Sequence, residues 1–143
     1  MTDARMIDYP NHVPDVYGAL ADIETVLSTK GIDIGLNHLV KLRASQMNNC
    51  GFCVKMHTSE ARRDGETNER LDRLVAWRHV TDYTSAEKAV FAWTEALTQL
   101  DENSNYGELR ADLRRYFTEE QIAVLTSLIS MINLWNRLGV SNH

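Results

Sequence analysis

Proline is almost missing from this chain: Pro10 and Pro14 are the only two, and both precede residue 15. Beyond them no ring removes a backbone donor, so helices can run uninterrupted to the C-terminus. Strict apolar–polar alternation, the mark of a half-buried strand, is absent too. No apolar run approaches the roughly 18 residues needed to cross a bilayer. The opening Met1-Thr2-Asp3-Ala4-Arg5-Met6 lacks the apolar segment of a signal peptide. A cytoplasmic protein with no membrane partner is expected. Positive charge is in deficit, with 15 Lys+Arg against 20 Asp+Glu and a net charge of −5. That balance argues against nucleic acid as a main partner, because binding there is driven by release of phosphate counterions. Arg62-Arg63 and Arg114-Arg115 are interleaved with acids and read as solvated helix faces. No glycine-rich phosphate loop and no Ser-His-Asp arrangement is found, and nothing calls for a cofactor.

What is present is helical periodicity. At 143 residues, 43% of them hydrophobic, the chain can build a core without staples, as one domain over 1–143 with 1–13 as an N-terminal arm, in which His12 is expected to lie in a loop. The pattern predicts an all-α bundle of about six to seven helices. The first runs from Pro14 to Thr29 with Val16, Leu20, Ile23 and Leu27 as its stripe, and the second from Asp33 to Met47. Asn48-Asn49 breaks the chain and offers a cap. A third helix begins near Cys50 and ends before Gly65, and a fourth spans Asn68 to Arg78. Thr84-Ser85-Ala86-Glu87 and Thr118-Glu119-Glu120-Gln121 are capping boxes. They open a fifth helix reaching Leu100 and a last one from Glu119 to Leu138, stopped by Gly139; a charged sixth lies between, from Tyr106 to Tyr116. The last helix is apolar on most sides, which predicts central burial or a subunit interface, and hence a homo-oligomer.

The chain holds only two cysteines, and both fall in Cys50-Gly51-Phe52-Cys53-Val54-Lys55-Met56-His57. On a helix Cys50 and Cys53 are one turn apart, within disulfide reach, and Cys53 and His57 stack i to i+4. Free N–H groups at a helix start favour a thiolate. His57 gives Cys53 a base, which assigns Cys53 as nucleophile and Cys50 as resolving thiol. If the chain reverses at Asn48-Asn49, His38 of the preceding helix approaches His57 and extends a proton relay. Blander readings stand beside this one: the cysteines as small core residues, and His57 and His38 as structural histidines. Trp77, Trp93 and Trp135 read as core or interface anchors. The sharper alternative is a zinc-stabilised helical binding module without turnover, with Cys50, Cys53, His57 and His38 as a Cys2His2 set. Ligands that close on one helix splay poorly for a tetrahedron.

The stretch Leu39-Val40-Lys41-Leu42-Arg43-Ala44-Ser45-Gln46-Met47-Asn48-Asn49-Cys50-Gly51-Phe52-Cys53, followed by Met56-His57-Thr58 and Glu60-Ala61-Arg62, closely resembles the alkylhydroperoxidase (AhpD)-like branch of the carboxymuconolactone decarboxylase family. The likeness continues through Ala92–Thr98 and Ile132–Arg137 and covers about Gly35 to Leu138. It implies an all-helical fold, a trimer or hexamer, and reduction of a small-molecule hydroperoxide by Cys50 and Cys53 with His57, recharged by an external dithiol. Members that decarboxylate a muconolactone lack this dithiol. Two positions depart from the best-known peroxidase of the family. His38 stands where that protein has a glutamate, twelve residues before the first cysteine, and Phe52 stands where it has a histidine. The resemblance therefore implies a relay running through imidazole at position 38.

Overall fold

Most helices start at a residue whose side chain accepts from a free backbone N–H, which is why the capping positions are legible in advance. The computed structural model describes residues 2–143. In chain order the elements are α1 (Tyr9–His12), α2 (Pro14–Ser28), α3 (Ile34–Met47), α4 (Gly51–Arg63), α5 (Asn68–Arg73), a 3-10 segment (Leu74–His79), α6 (Ser85–Gln99), α7 (Tyr106–Leu113) and α8 (Glu119–Val140). No strand occurs among the described residues. Asp33 caps α3, Thr67 caps α5 and Asn105 caps α7. Both capping boxes form, Thr84 with Glu87 and Thr118 with Gln121.

The core is built on α3, α6 and α8, which pack on one another, with α4 along α3 and α2 against α8. Leu39, Val40 and Leu42 of α3 meet Val90 and Phe91 of α6 and Leu125, Leu128 and Ile129 of α8 in one buried cluster. Fully burying a side chain of this size is worth about 1.5–3 kcal/mol. The outward stripe of α8 carries Ala123, Ser127, Ser130 and Arg137. Most apolar side chains of α8 are covered by its own chain, with Leu134, Trp135 and Leu138 half-buried and Val140 exposed.

Three local expectations are corrected. The fourth helix does not continue to Arg78: Ala76 departs from helical φ/ψ, and a 3-10 segment follows α5. Threefold periodicity turns Leu74 and Trp77 inward together and leaves Val75 exposed. Trp77 Nε1–H then donates to buried Glu95 Oε2 at 3.1 Å. Gly139 does not end the last helix, which continues to Val140. The N-terminal arm is not merely loop, since α1 contains His12 and is capped by Asp8.

Candidate active site

The turn between α3 and α4 sets the whole site. Asn49 adopts φ 54°, the left-handed region that asparagine tolerates, and reverses the chain. Asn48 Nδ2 donates to Asn133 Oδ1 (2.9 Å) and Asn136 Oδ1 (3.0 Å) of α8. Asn136, fully buried, donates in turn to Ser45 Oγ at 2.9 Å. This buried amide network pins the turn to the core. Its members were invisible as a site in the sequence, because asparagines spread over two distant helices carry no local pattern.

Cys50 follows that turn as the N-cap of α4, so it precedes the helix instead of lying in its first turn. Its Sγ accepts the Cys53 N–H at 3.4 Å. The pair is joined as a disulfide, Cα to Cα 5.3 Å. Both cysteines are buried, yet Cys53 lines a cavity of about 780 Å³ and Cys50 does not. The cavity walls include Tyr17, Met56, Ile132, Trp135 and Leu138, with exposed Phe52 beside them. Residues Met6 to Pro10 of the N-terminal arm also border it. The arm is held by Asn142, which accepts the Ile7 N–H and donates to Ile7 O, both at 2.9 Å, and by a Tyr9–Ser141 hydroxyl contact of 2.8 Å.

Gly139 explains its own position. A Cβ there would lie 2.9 Å from Cys50 Sγ and 3.5 Å from Cys53 Sγ. Only a glycine lets α8 pass this close to the sulfurs.

His57 sits in the second turn of α4, lines the cavity and is 5% exposed. Its Nδ1 is 3.2 Å from Glu60 Oε2, and among the described residues no protein group takes up Nε2. An ionised carboxylate only accepts, so Nδ1 carries the hydrogen and Nε2 keeps its lone pair. Burial pushes the His57 pKa below the ordinary histidine value; Glu60 offsets part of this, while Lys41 and His38 push the same way as burial. The ring is thereby kept neutral and able to accept a proton near pH 7.

His38 is not beside His57. It lies eleven residues before Asn49, and Glu60 lies eleven after it. Antiparallel helices of equal rise therefore bring His38 opposite Glu60 and not opposite the second turn. Its Nδ1 is 3.9 Å from Glu60 Oε2, and its Nε2 is 2.6 Å from Asp64 Oδ2. Arg63 first, then His38, hold the Asp64 carboxyl below its usual range. One carboxylate, from position 60, thus stands between the two imidazoles. Glu60 stands i+3 from His57 on one helix, a spacing that was readable but not taken up. The four donors of the zinc reading do not converge: the cysteines are bonded to each other and His38 is bonded to Asp64. Among the described residues no group of three or more His, Cys, Asp or Glu side chains is arranged to hold a metal ion. No described helix is long and apolar enough to cross a membrane.

Known proteins frame this geometry. The uncharacterized protein YdfG of Bacillus subtilis (strain 168) is 34% identical over 138 residues, spanning 96% of this chain and 94% of its own. A crystal structure from Agrobacterium tumefaciens, described as a protein of unknown function and a suggested antioxidant defence protein AhpD, matches with a TM-score of 0.90 and 34% identity. That match covers 95% of this chain and 93% of the other. The debrominase Bmp8 in its apo form has a TM-score of 0.80 at 19% identity, over 91% of this chain and 70% of its own, a likeness of fold alone. The sequence model of the carboxymuconolactone decarboxylase family matches residues 14–96. With that match across more than half of its length, and helices that bring a CxxC pair to a cavity, this chain belongs to the carboxymuconolactone decarboxylase family.

Proposed function

We propose that the protein is a thiol peroxidase that reduces an organic hydroperoxide at Cys53 and is recharged by an external dithiol. The observation that carries this reading is the asymmetry of the pair. Cys53 faces the cavity with a neutral imidazole in the next turn, while Cys50 lies behind it at the helix cap. In the reduced protein, His57 Nε2 takes the Cys53 proton, and the thiolate attacks the outer peroxide oxygen. The O–O bond breaks, the alcohol leaves with the proton returned by His57, and Cys53 becomes a sulfenic acid. Cys50 attacks that sulfur, its proton leaves with the hydroxyl as water, and the disulfide forms. Both electrons come from the two thiols, so the cycle needs no bound cofactor. The external dithiol then reduces the disulfide by exchange.

The apolar walls favour a hydroperoxide with a hydrocarbon body over hydrogen peroxide. Glu60 orients His57 and stabilises its imidazolium, as a carboxylate does for other catalytic histidines. The test is steady-state reduction of several hydroperoxides with lipoyl, thioredoxin-like and low-molecular-weight dithiols. Cys53→Ser should abolish peroxide consumption. Cys50→Ser should consume about one equivalent and stop at a trappable sulfenic acid. Full activity in Cys53→Ser would overturn the assignment.

A further inference from the structure

Among the described residues, Lys41 is the one cation on the cavity wall, against the carboxylates of Asp8, Glu24 and Glu60. Its place follows from the turn. Lys41 lies eight residues before Asn49 and His57 lies eight after it, so the register that sets His38 opposite Glu60 sets Lys41 opposite His57. Its charge is felt there, as one of the influences that lower the His57 pKa. The Lys41 side chain is 20% exposed. An ammonium has three donors, and the partner it reaches among the described residues is Glu24 Oε2 at 3.5 Å, a long hydrogen bond. Glu24 is held at that distance by its other oxygen, Oε1, which accepts Trp135 Nε1–H at 2.9 Å. Donors are therefore left over, on a mostly buried cation, at the wall that faces the imidazole. Three carboxylates oppose a substrate that arrives as an anion. They do not oppose a neutral substrate whose negative charge appears only during the reaction.

We propose that Lys41 is a further catalytic residue, whose ammonium holds the negative charge expelled from the atom that Cys53 attacks. This rests on the thiol reading above and deepens it: the substrate class is an uncharged electrophile, bound with its leaving atom toward α3. With a hydroperoxide, the Cys53 thiolate forms a bond to the outer oxygen, and the O–O electron pair passes to the inner one. Lys41 donates to that alkoxide until the His57 imidazolium returns the proton and the alcohol departs. With a small disulfide, the thiolate bonds the near sulfur and expels the far one as a thiolate, which Lys41 holds in the same way. Such a contact is strongest in the transition state, so it speeds the step and adds little to substrate binding. Glu24 is the positioning residue, fixing the ammonium from α2.

The test is single-turnover oxidation of the full-length reduced protein by two pairs of uncharged reagents at neutral pH. Tert-butyl hydroperoxide, with a poor leaving group, is set against peracetic acid, with a good one; bis(hydroxyethyl) disulfide is set against dipyridyl disulfide. Each reagent is read as the ratio of variant to wild-type rate, so differences in size and fit cancel. A changed Cys53 or His57 pKa would move all four ratios together, whereas lost charge stabilisation separates them. Lys41→Met is expected to slow the poor leaving group of each pair by about ten-fold or more relative to the good one. That is less than a fully dedicated oxyanion donor commands, because Glu24 shares the charge. Lys41→Arg should restore most of the difference. Lys41→Met with Glu24→Gln removes both charges and should show the same separation, with no carboxylate left unpaired if the single variant fails to fold. Equal ratios within each pair overturn the proposal, and if hydroperoxides are still reduced the peroxidase reading stands. Separated disulfide ratios in a protein that reduces no hydroperoxide leave Lys41 in its role and remove only the peroxidase reading.

Discussion

Glu60 is one carboxylate between two imidazoles, and the behaviour of the site turns on it. Its negative charge opposes the burial that lowers the His57 pKa. Glu60→Gln keeps an acceptor for Nδ1–H but not the charge, so the His57 pKa should fall further and its basicity with it. We expect peroxide turnover at neutral pH to drop by about ten-fold or more, with the acid limb of the profile moving to lower pH. An unchanged rate and profile would place Glu60 outside the mechanism. The same shift is a stability statement. Because the folded-state pKa of His57 is depressed, the unfolded chain binds the proton first as pH falls below about 6.5. The contribution is therefore complete above that value and is lost progressively as pH drops toward the folded pKa. Urea melts of the reduced protein across this window should show stability falling with pH, and His57→Gln should flatten that slope. Asp64 contributes in the same sense, since its lowered pKa also costs stability on acidification, but only in the carboxylate window at lower pH.

Among the elements, α8 and α4 are fitted to each other at one point. Inside a helix, replacing glycine by alanine ordinarily gains about 0.8–1 kcal/mol. At Gly139 the new methyl would meet Cys50 Sγ at 2.9 Å, so either the sulfur or α8 must shift. In the disulfide that sulfur is tethered, whereas the reduced side chain can rotate away. Gly139→Ala should thus lower the melting temperature of the oxidised protein more than that of the reduced one. Equal shifts in the two states, or a gain in both, would show that α8 does not bear on the sulfurs. Several helix starts were readable because a side-chain cap is a local event: Thr84 and Thr118 announce themselves within four residues. The end of α8 was misread for the opposite reason. Glycine after an apolar run looks like a stop, and only the sulfur packed against it reveals a clearance.

For the whole molecule, exposed apolar surface that a homo-oligomer could bury also lies outside the last helix. Val16, Ile23 and Val26 are exposed on α2, and Ile34 is exposed at the start of α3. Apolar side chains repeated along one face are candidates for burial between copies. We propose that self-association uses α2, in a trimer or hexamer as the family resemblance implies. Sedimentation at micromolar concentration should give a mass above one chain, and Ile23→Asp with Val26→Lys should reduce it to the monomer. A wild-type monomer at that concentration would end the proposal.

Periodicity, caps and the scarcity of proline were enough to determine an all-helical chain. The CxxC spacing with a histidine four residues on was enough to mark Cys50, Cys53 and His57, because all of these signals act within one or two helical turns. Tertiary structure alone decided which cysteine meets the cavity, since that depends on α8 and the N-terminal arm lying over α4. It also decided that Glu60, not His38, holds His57. The family resemblance marked position 38 as lacking a glutamate, but the antiparallel register of α3 and α4 pairs residues by their distance from Asn49. Helical rise converts that count into contact, and contact between helices is the one quantity a linear pattern does not contain.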